Sequence, residues 1–248
     1  MNTETTSLVP VNSAPEQWRH YANFLRRPQL PDQIAGFRPA FSAILRMLAL
    51  DLAIMVVLLS AVLLVVLLGV ELPDNALNEL EMTPVVIASI VIIAPLLEEI
   101  GFRSWLSGRP RYLVFIPIML IAAGAAAAIG VSNTGEEAAH GTAIALGSGL
   151  VLGIIAALIL WKRPPMRWFR AIFPFAFWIS AAAFALIHIF NYQEGDWYAL
   201  LPLVLPQFVL GSICAYLRVH HGLWSAMLMH ALHNGIIVLF VLSALQFA

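Results

Sequence analysis

Two adjacent carboxylates, Glu98 and Glu99, close an apolar run from Met82 to Leu97 that carries no charge. An ionised side chain at membrane depth costs at least about 2.5–3.5 kcal/mol on insertion scales, so a chain that keeps two there is expected to use them. Glu99 and Arg103 are four residues apart and share a helix face, where they can pair. Glu98 points about 100° round the helix and is left free for chemistry. The other polar residues within apolar stretches are Asp51, His188, His230, His233 and Asn234. His188 lies one turn after Phe184. His230 and Asn234 share a face, with His233 about 60° from His230.

This set suits hydrolysis. A carboxylate can take a proton from water. Two imidazoles and an amide can orient that water, stabilise an oxyanion or bind a metal. A zinc site with an open position typically draws three ligands from His and Asp/Glu. Each piece alone has a plainer reading: an intramembrane His is often an interhelical hydrogen-bond partner, and a Glu-Glu pair often marks a helix boundary. The combination is stronger because its members fall on separate helices. Counted from the loops read as inner, Glu98 is nine residues from Ser107, His230 eight from Gly222 and His188 fourteen from Pro174. At about 1.5 Å per residue, Glu98 and His230 match in depth and His188 sits up to about 9 Å higher.

The elements that position these groups are membrane helices. Of the 248 residues, 61% are hydrophobic and 11% charged, and the mean hydropathy is +0.87. Soluble domains carry about 25% charged residues. The sequence therefore predicts an all-α polytopic membrane bundle. Its seven apolar segments are 46–70, 83–106, 112–131, 141–161, 172–192, 198–217 and 222–246, each near the roughly 20 residues that span a bilayer. All 13 Lys and Arg fall on alternate sides of that count, which places the N-terminus in the cytoplasm. A net charge of −1 gives no field that would favour nucleic acid. The single cysteine, Cys214, reads as a packing residue.

Residues 1–40 form a polar cytoplasmic segment, disordered over 1–14 and with an amphipathic helix from Pro15 to Pro28 that is expected on the membrane surface, aromatic side down. Residues 41–248 form one transmembrane domain. The Ala/Gly-rich third and fourth spans suit close helix contact. Asp51 is expected to pair with Arg46 or Arg103. Glu137 and His140 have metal-ligand spacing but fall in a solvated outer loop. His220 and His221 join the last inner loop at the interface, and His233 reads as a supporting partner behind the site or, with slight preference, a bystander. No Ser or Cys stands beside the cluster as an obvious nucleophile, with Ser180 and Ser225 left open.

Glu98-Glu99-x-x-x-Arg103, Phe184-x-x-x-His188 and His230-x-x-x-Asn234, in that order, resemble the CPBP family of intramembrane metalloproteases, also called the type II CaaX prenyl endopeptidase or ABI family. The resemblance covers residues 83–246. It implies an endopeptidase in the cell membrane, the inner membrane for a bacterial chain, that cleaves a membrane-associated peptide or protein. By this resemblance Glu98 and His188 activate the water, and His230 and Asn234 polarise the scissile carbonyl or hold a metal. Glu99 and Arg103 form the supporting pair. Zinc is the implied cofactor, with His188 and His230 as its ligands. The ninety residues between Glu98 and His188 exceed the family's usual gap by one helical hairpin, 112–161, whose two crossings preserve orientation. Two other classes remain: a non-proteolytic protein of the same fold acting in immunity, binding or regulation, and a proton-coupled transporter, which also uses intramembrane Glu and His.

Overall fold

The computed structural model describes residues 13–76 and 80–245; most of the segment read as disordered, 1–14, lies outside them. Among the described residues every regular element is helical. Six helices are long and apolar enough to cross a membrane, and a bent pair makes a seventh crossing if it counts as one span.

Helix α1 (Ala14–Arg26) starts where Ser13 accepts a hydrogen bond from the Glu16 amide and Pro15 enters the first turn. Both devices satisfy or remove N–H groups that a helix start leaves unpaired. Its aromatic face does not lie on lipid. Tyr21 and Phe24 are buried, with Phe24 edge-on to Phe173, Phe177, Tyr216 and His220. The Tyr21 hydroxyl meets Ser212 Oγ at 2.6 Å. The Trp18 indole donates to the Arg46 carbonyl at 2.8 Å. The same stripe that suits a membrane surface thus fits the end of a helix bundle.

Helix α2 (Phe37–Leu67) begins nine residues before the apolar segment does, because the added residues 37–45 include good helix formers, Arg38, Ala40, Ala43 and Leu45. The next span is composite: α3 (Pro84–Ala88), a π-helical turn (Ser89–Ile93) and α4 (Ala94–Arg103), running into a 3₁₀ turn at Ser104–Ser107. Pro95 explains the widening. Its ring clashes with the carbonyl four residues back, and it has no N–H to donate. The helix relieves this with a π turn, in which the Ala94 amide reaches the Ser89 carbonyl.

Two compact units emerge, one of residues 1–104 and 173–248 and the other Trp105–Ile172. The second holds the extra hairpin, α5 (Pro110–Ser132) and α6 (Gly135–Ile159), joined by Asn133 and Thr134. Its close packing follows from small residues: a Cβ placed on Gly149 would lie 2.2 Å from the Ala122 Cβ. Glu137 and His140 lie in the first turns of α6 and not in a loop. Both are exposed, as solvated residues should be.

Helix α7 (Arg167–Ile187), which belongs to the first unit from Phe173 onward, ends just before His188, which opens a 3₁₀ turn to Asn191. That end is tied down where the Gln193 amide donates to Asp74 and Tyr192 pairs with Asn75. The sixth apolar segment is broken. Helices α8 (Trp197–Leu203) and α9 (Leu205–His221) bend by 50° at Val204, beside Pro202 and Pro206, neither of which can donate to the helix ladder. His220 and His221 are the last residues of α9, buried and in ring contact with each other rather than in an interfacial loop. Helix α10 (Leu223–Leu245) completes the unit.

The contact of α1 with α9 is sensitive to pH. Gln17 Nε2 donates to the Tyr216 hydroxyl at 2.7 Å, which frees the phenol proton for His20 Nδ1 at 2.6 Å. That arrangement needs neutral His20, and burial lowers its pKa below 6.5. A histidine whose folded pKa is depressed stabilises docking above its ordinary value and loses that contribution as pH falls through the folded one. Hydrogen exchange over residues 14–26, corrected for intrinsic rates, should be faster at pH 5 than at pH 7.5, and His20→Gln should flatten the difference.

Candidate active site

All the site residues expected from the sequence lie in the first unit. Glu99 and Arg103 face inward from α4, both wholly buried, with Arg103 Nη1 3.2 Å from Glu99 Oε1. The pairing follows from spacing, since residues four apart on a helix are neighbours. The guanidinium also lies over the Phe184 ring, 3.8 Å from its centroid, where the ring quadrupole favours a cation. Room for it comes from Gly211 of α9: a Cβ there would stand 2.9 Å from both Arg103 Nη2 and Phe184 Cδ1. Arg218, one end of α9, donates to the carbonyls of Arg103 and Ser104 at 3.0 Å each. These are among the carbonyls a helix end leaves unpaired, and a cation suits that end of the dipole.

His230 of α10 stands between the two glutamates. Its Nδ1 is 3.0 Å from Glu99 Oε1 and its Nε2 is 3.7 Å from Glu98 Oε2. The first is a hydrogen bond. The second exceeds direct hydrogen-bond length and is of a kind that a water bridges. Glu98 is 30% exposed, against 0% for Glu99. The two neighbouring acids are thus divided as their 100° offset requires: one closed in an ion pair, one open.

His188 packs against Phe184. Its Nδ1 is 2.7 Å from the Phe184 carbonyl. The Phe184 ring stands 4.8 Å from the His188 ring and 5.5 Å from that of His230, centroid to centroid. A carbonyl only accepts, so His188 Nδ1 carries a proton and the neutral ring presents Nε2 as an acceptor. The same reasoning gives His230 a proton on Nδ1 toward Glu99.

Asn234 does not point at this cluster with its amide nitrogen. Nδ2 donates to the Ile90 carbonyl at 2.9 Å. That carbonyl sits in the π turn, and the residue five ahead is Pro95, which has no N–H for it. Asp51 differs from expectation too. It pairs with neither Arg46 nor Arg103. Its Oδ2 is 2.5 Å from His233 Nδ1, and its side chain is wholly buried. His233 is therefore no bystander. The signal available in the sequence was Asp51 itself, an acid within an apolar run. Gly211 and Arg218 gave no comparable signal.

Neither serine left open is poised as a nucleophile. Ser180 Oγ donates to the Phe102 carbonyl at 2.6 Å, and Ser225 Oγ to the Gly222 carbonyl at 2.6 Å. Cys214 is buried, with Sγ 3.7 Å from the Ala226 carbonyl. Among the described residues no three His, Cys, Asp or Glu side chains assemble as a metal site. The residues as placed do not fit the three-ligand zinc set.

The family model described as type II CAAX prenyl endopeptidase Rce1-like matches residues 80–236. The chain belongs to this family. No curated protein and no solved structure matches. The match takes in Glu98, Glu99, Arg103, His188, His230, His233 and Asn234 of the Rce1-like chain, and it begins after Asp51 and α1.

The buried ion pair makes a direct prediction. Removing one partner of such a pair leaves an uncompensated charge and costs roughly 3–5 kcal/mol. Arg103→Ala should lower the thermal unfolding temperature of the purified protein strongly. Gly211→Ala, which crowds the same guanidinium, should lower it less. An Arg103→Ala protein that melts with the wild type would show that the pair braces nothing.

Proposed function

We propose that this Rce1-like chain is an intramembrane endopeptidase in which Glu98 activates a water for attack on a peptide carbonyl. The observation that carries this reading is the division of the two glutamates by His230. Glu99, closed against Arg103, fixes the ring through Nδ1, and the ring's other nitrogen faces the accessible Glu98 at 3.7 Å, where a water can bond to both from the open side. A general base must reach the proton it takes, directly or through one water. Glu98 alone among the cluster's carboxylates is open.

The steps follow. A water held between Glu98 and His230 gives a proton to Glu98 as its oxygen bonds to the carbonyl carbon. The carbonyl oxygen becomes an oxyanion, and His230, oriented through Nδ1 by Glu99, turns Nε2 toward the developing charge and stabilises it when that nitrogen carries a proton. Glu98 returns the proton to the leaving amine as the C–N bond breaks. His188 Nε2 accepts from the substrate amide or from the water. Asn234 positions α10 against the π turn. The substrate is a membrane-associated peptide or protein, with the cluster reached from the cytoplasmic face by the charge pattern of the loops. No step passes through zinc.

A second reading has an observation of its own. Glu99–Arg103, Asp51–His233 and Asn234–Ile90 are each paired internally, as in a polar core kept for a non-proteolytic binding or regulatory role. Cleavage decides between them. The purified protein is given a quenched fluorescent peptide ending in a prenylated CaaX sequence, and the same peptide without the prenyl group. The endopeptidase reading expects cleavage, reduced by about 10²–10⁴-fold in Glu98→Gln, the range for loss of a general base, with unfolding temperature unchanged. Full activity in Glu98→Gln would remove Glu98 from the mechanism. A wild-type protein inert toward both peptides would favour the second reading.

A further inference from the structure

Helix α10 carries three polar side chains that reach three different elements. His230 reaches α4, Asn234 reaches the π turn at Ile90, and His233 reaches Asp51 on α2. On a helix, His233 sits about 60° to one side of His230 and Asn234 about 40° to the other. His230 therefore lies between two tethers, and turning α10 in either sense stretches one of them. The sensitivity is large. With side chains at about 5–6 Å from the axis, a rotation of about 20° moves His230 by about 2 Å. That breaks a 3.0 Å hydrogen bond to Glu99.

We propose that Asp51 and His233 are a positioning pair that holds His230 between Glu98 and Glu99; its catalytic meaning rests on the endopeptidase reading. Three observations converge. Asp51 is wholly buried and its contact with His233 Nδ1, at 2.5 Å, is the shortest of the three tethers. Among the described residues its other oxygen, Oδ1, has no hydrogen-bond partner, so the carboxylate's hydrogen bonding there is to His233. Arg103, the cation that could otherwise serve it, is committed to Glu99. A buried carboxylate with one partner is costly to keep, and α2, which supplies it, lies outside the segment that matches the family. The inference assigns this chain a positioning residue beyond the family motifs.

The experiment uses full-length protein in detergent micelles, labelled with ¹⁵N-histidine. Asp51→Leu removes the acceptor with little change of volume. Asp51→Asn keeps a carbonyl oxygen that still accepts from His233 Nδ1–H. The pair predicts that Asp51→Leu shifts the His230 Nδ1–H resonance and lowers kcat by about 10–100-fold, the range for lost outer partners of a functional imidazole, with KM nearly unchanged. Asp51→Asn should restore most of both. His233→Leu, which cuts the tether at its other end, should reproduce the Asp51→Leu result. A wild-type His230 resonance in His233→Leu or Asp51→Leu overturns the proposal, as does a kcat loss that Asp51→Asn does not relieve. The resonance needs no turnover. If the wild type cleaves nothing, the endopeptidase reading fails while the shift still decides the tether.

Discussion

The fold of the first unit depends on placing one guanidinium, that of Arg103, where no water reaches it. A charge in low dielectric is tolerated only with compensation, which here is a counter-charge at 3.2 Å and a ring face, since no guanidinium nitrogen has a hydrogen-bond partner among the described residues. Glu99 comes from the same helix, one turn back. Phe184 offers the face of its ring from α7. Gly211 of α9 lacks the Cβ that would fill the space. Arg218, also of α9, ends α4 by binding the Arg103 and Ser104 carbonyls. Three helices are thus fixed by one side chain. Because Glu99 is held on one edge by Arg103, its Oε1 is available to hold His230 on another. The imidazole is oriented by a carboxylate that is itself oriented.

The π turn is the second constraint. Pro95 widens the helix one turn before the glutamates and leaves the Ile90 carbonyl without an N–H from its own helix. An extra residue in a turn rotates everything after it relative to everything before. The faces shown by Glu98 and Glu99 are therefore set by Pro95, and Asn234 closes on the carbonyl that the same proline freed. Two separated features, a proline inside a helix and an amide 139 residues later, have one cause.

What was legible in the sequence follows the range of the interaction. Glu99 with Arg103, and Phe184 with His188, are i,i+4 neighbours, and helix geometry alone puts them together. The Rce1-like membership was legible for the same reason, since its motifs are local. The number of apolar segments was legible because bilayer thickness sets their length. Asp51 with His233 was not, because the register between α2 and α10 is set by packing across 182 residues. The docking of α1 was hidden by an ambiguity of pattern: an aromatic stripe fits a lipid surface and a protein groove equally well. The break at Val204 was foreshadowed by Pro202 and Pro206, but an apolar segment of the right length masked it. His188 sits at a helix end rather than inside one, which hydropathy does not record.

Satisfaction of polar groups then separates structure from chemistry within the cluster. Arg103 and Glu99 are spent on each other, Asp51 on His233, and the Asn234 amide on a backbone carbonyl. His188 and His230 are each anchored through Nδ1. Three groups of the cluster are not held in this way: the Glu98 carboxylate, 30% exposed, and the Nε2 atoms of the two imidazoles; Glu99 Oε2, Asp51 Oδ1 and the Arg103 nitrogens also lack hydrogen-bond partners among the described residues, but they are buried. Unmet polar capacity away from water costs about 1–3 kcal/mol per group, a cost borne by the buried ion-paired residues, whereas Glu98 is open to solvent. The part of the cluster open to a new partner is one accessible acid and two rings, each held through its other nitrogen. A water and a peptide bond are the partners that would complete it.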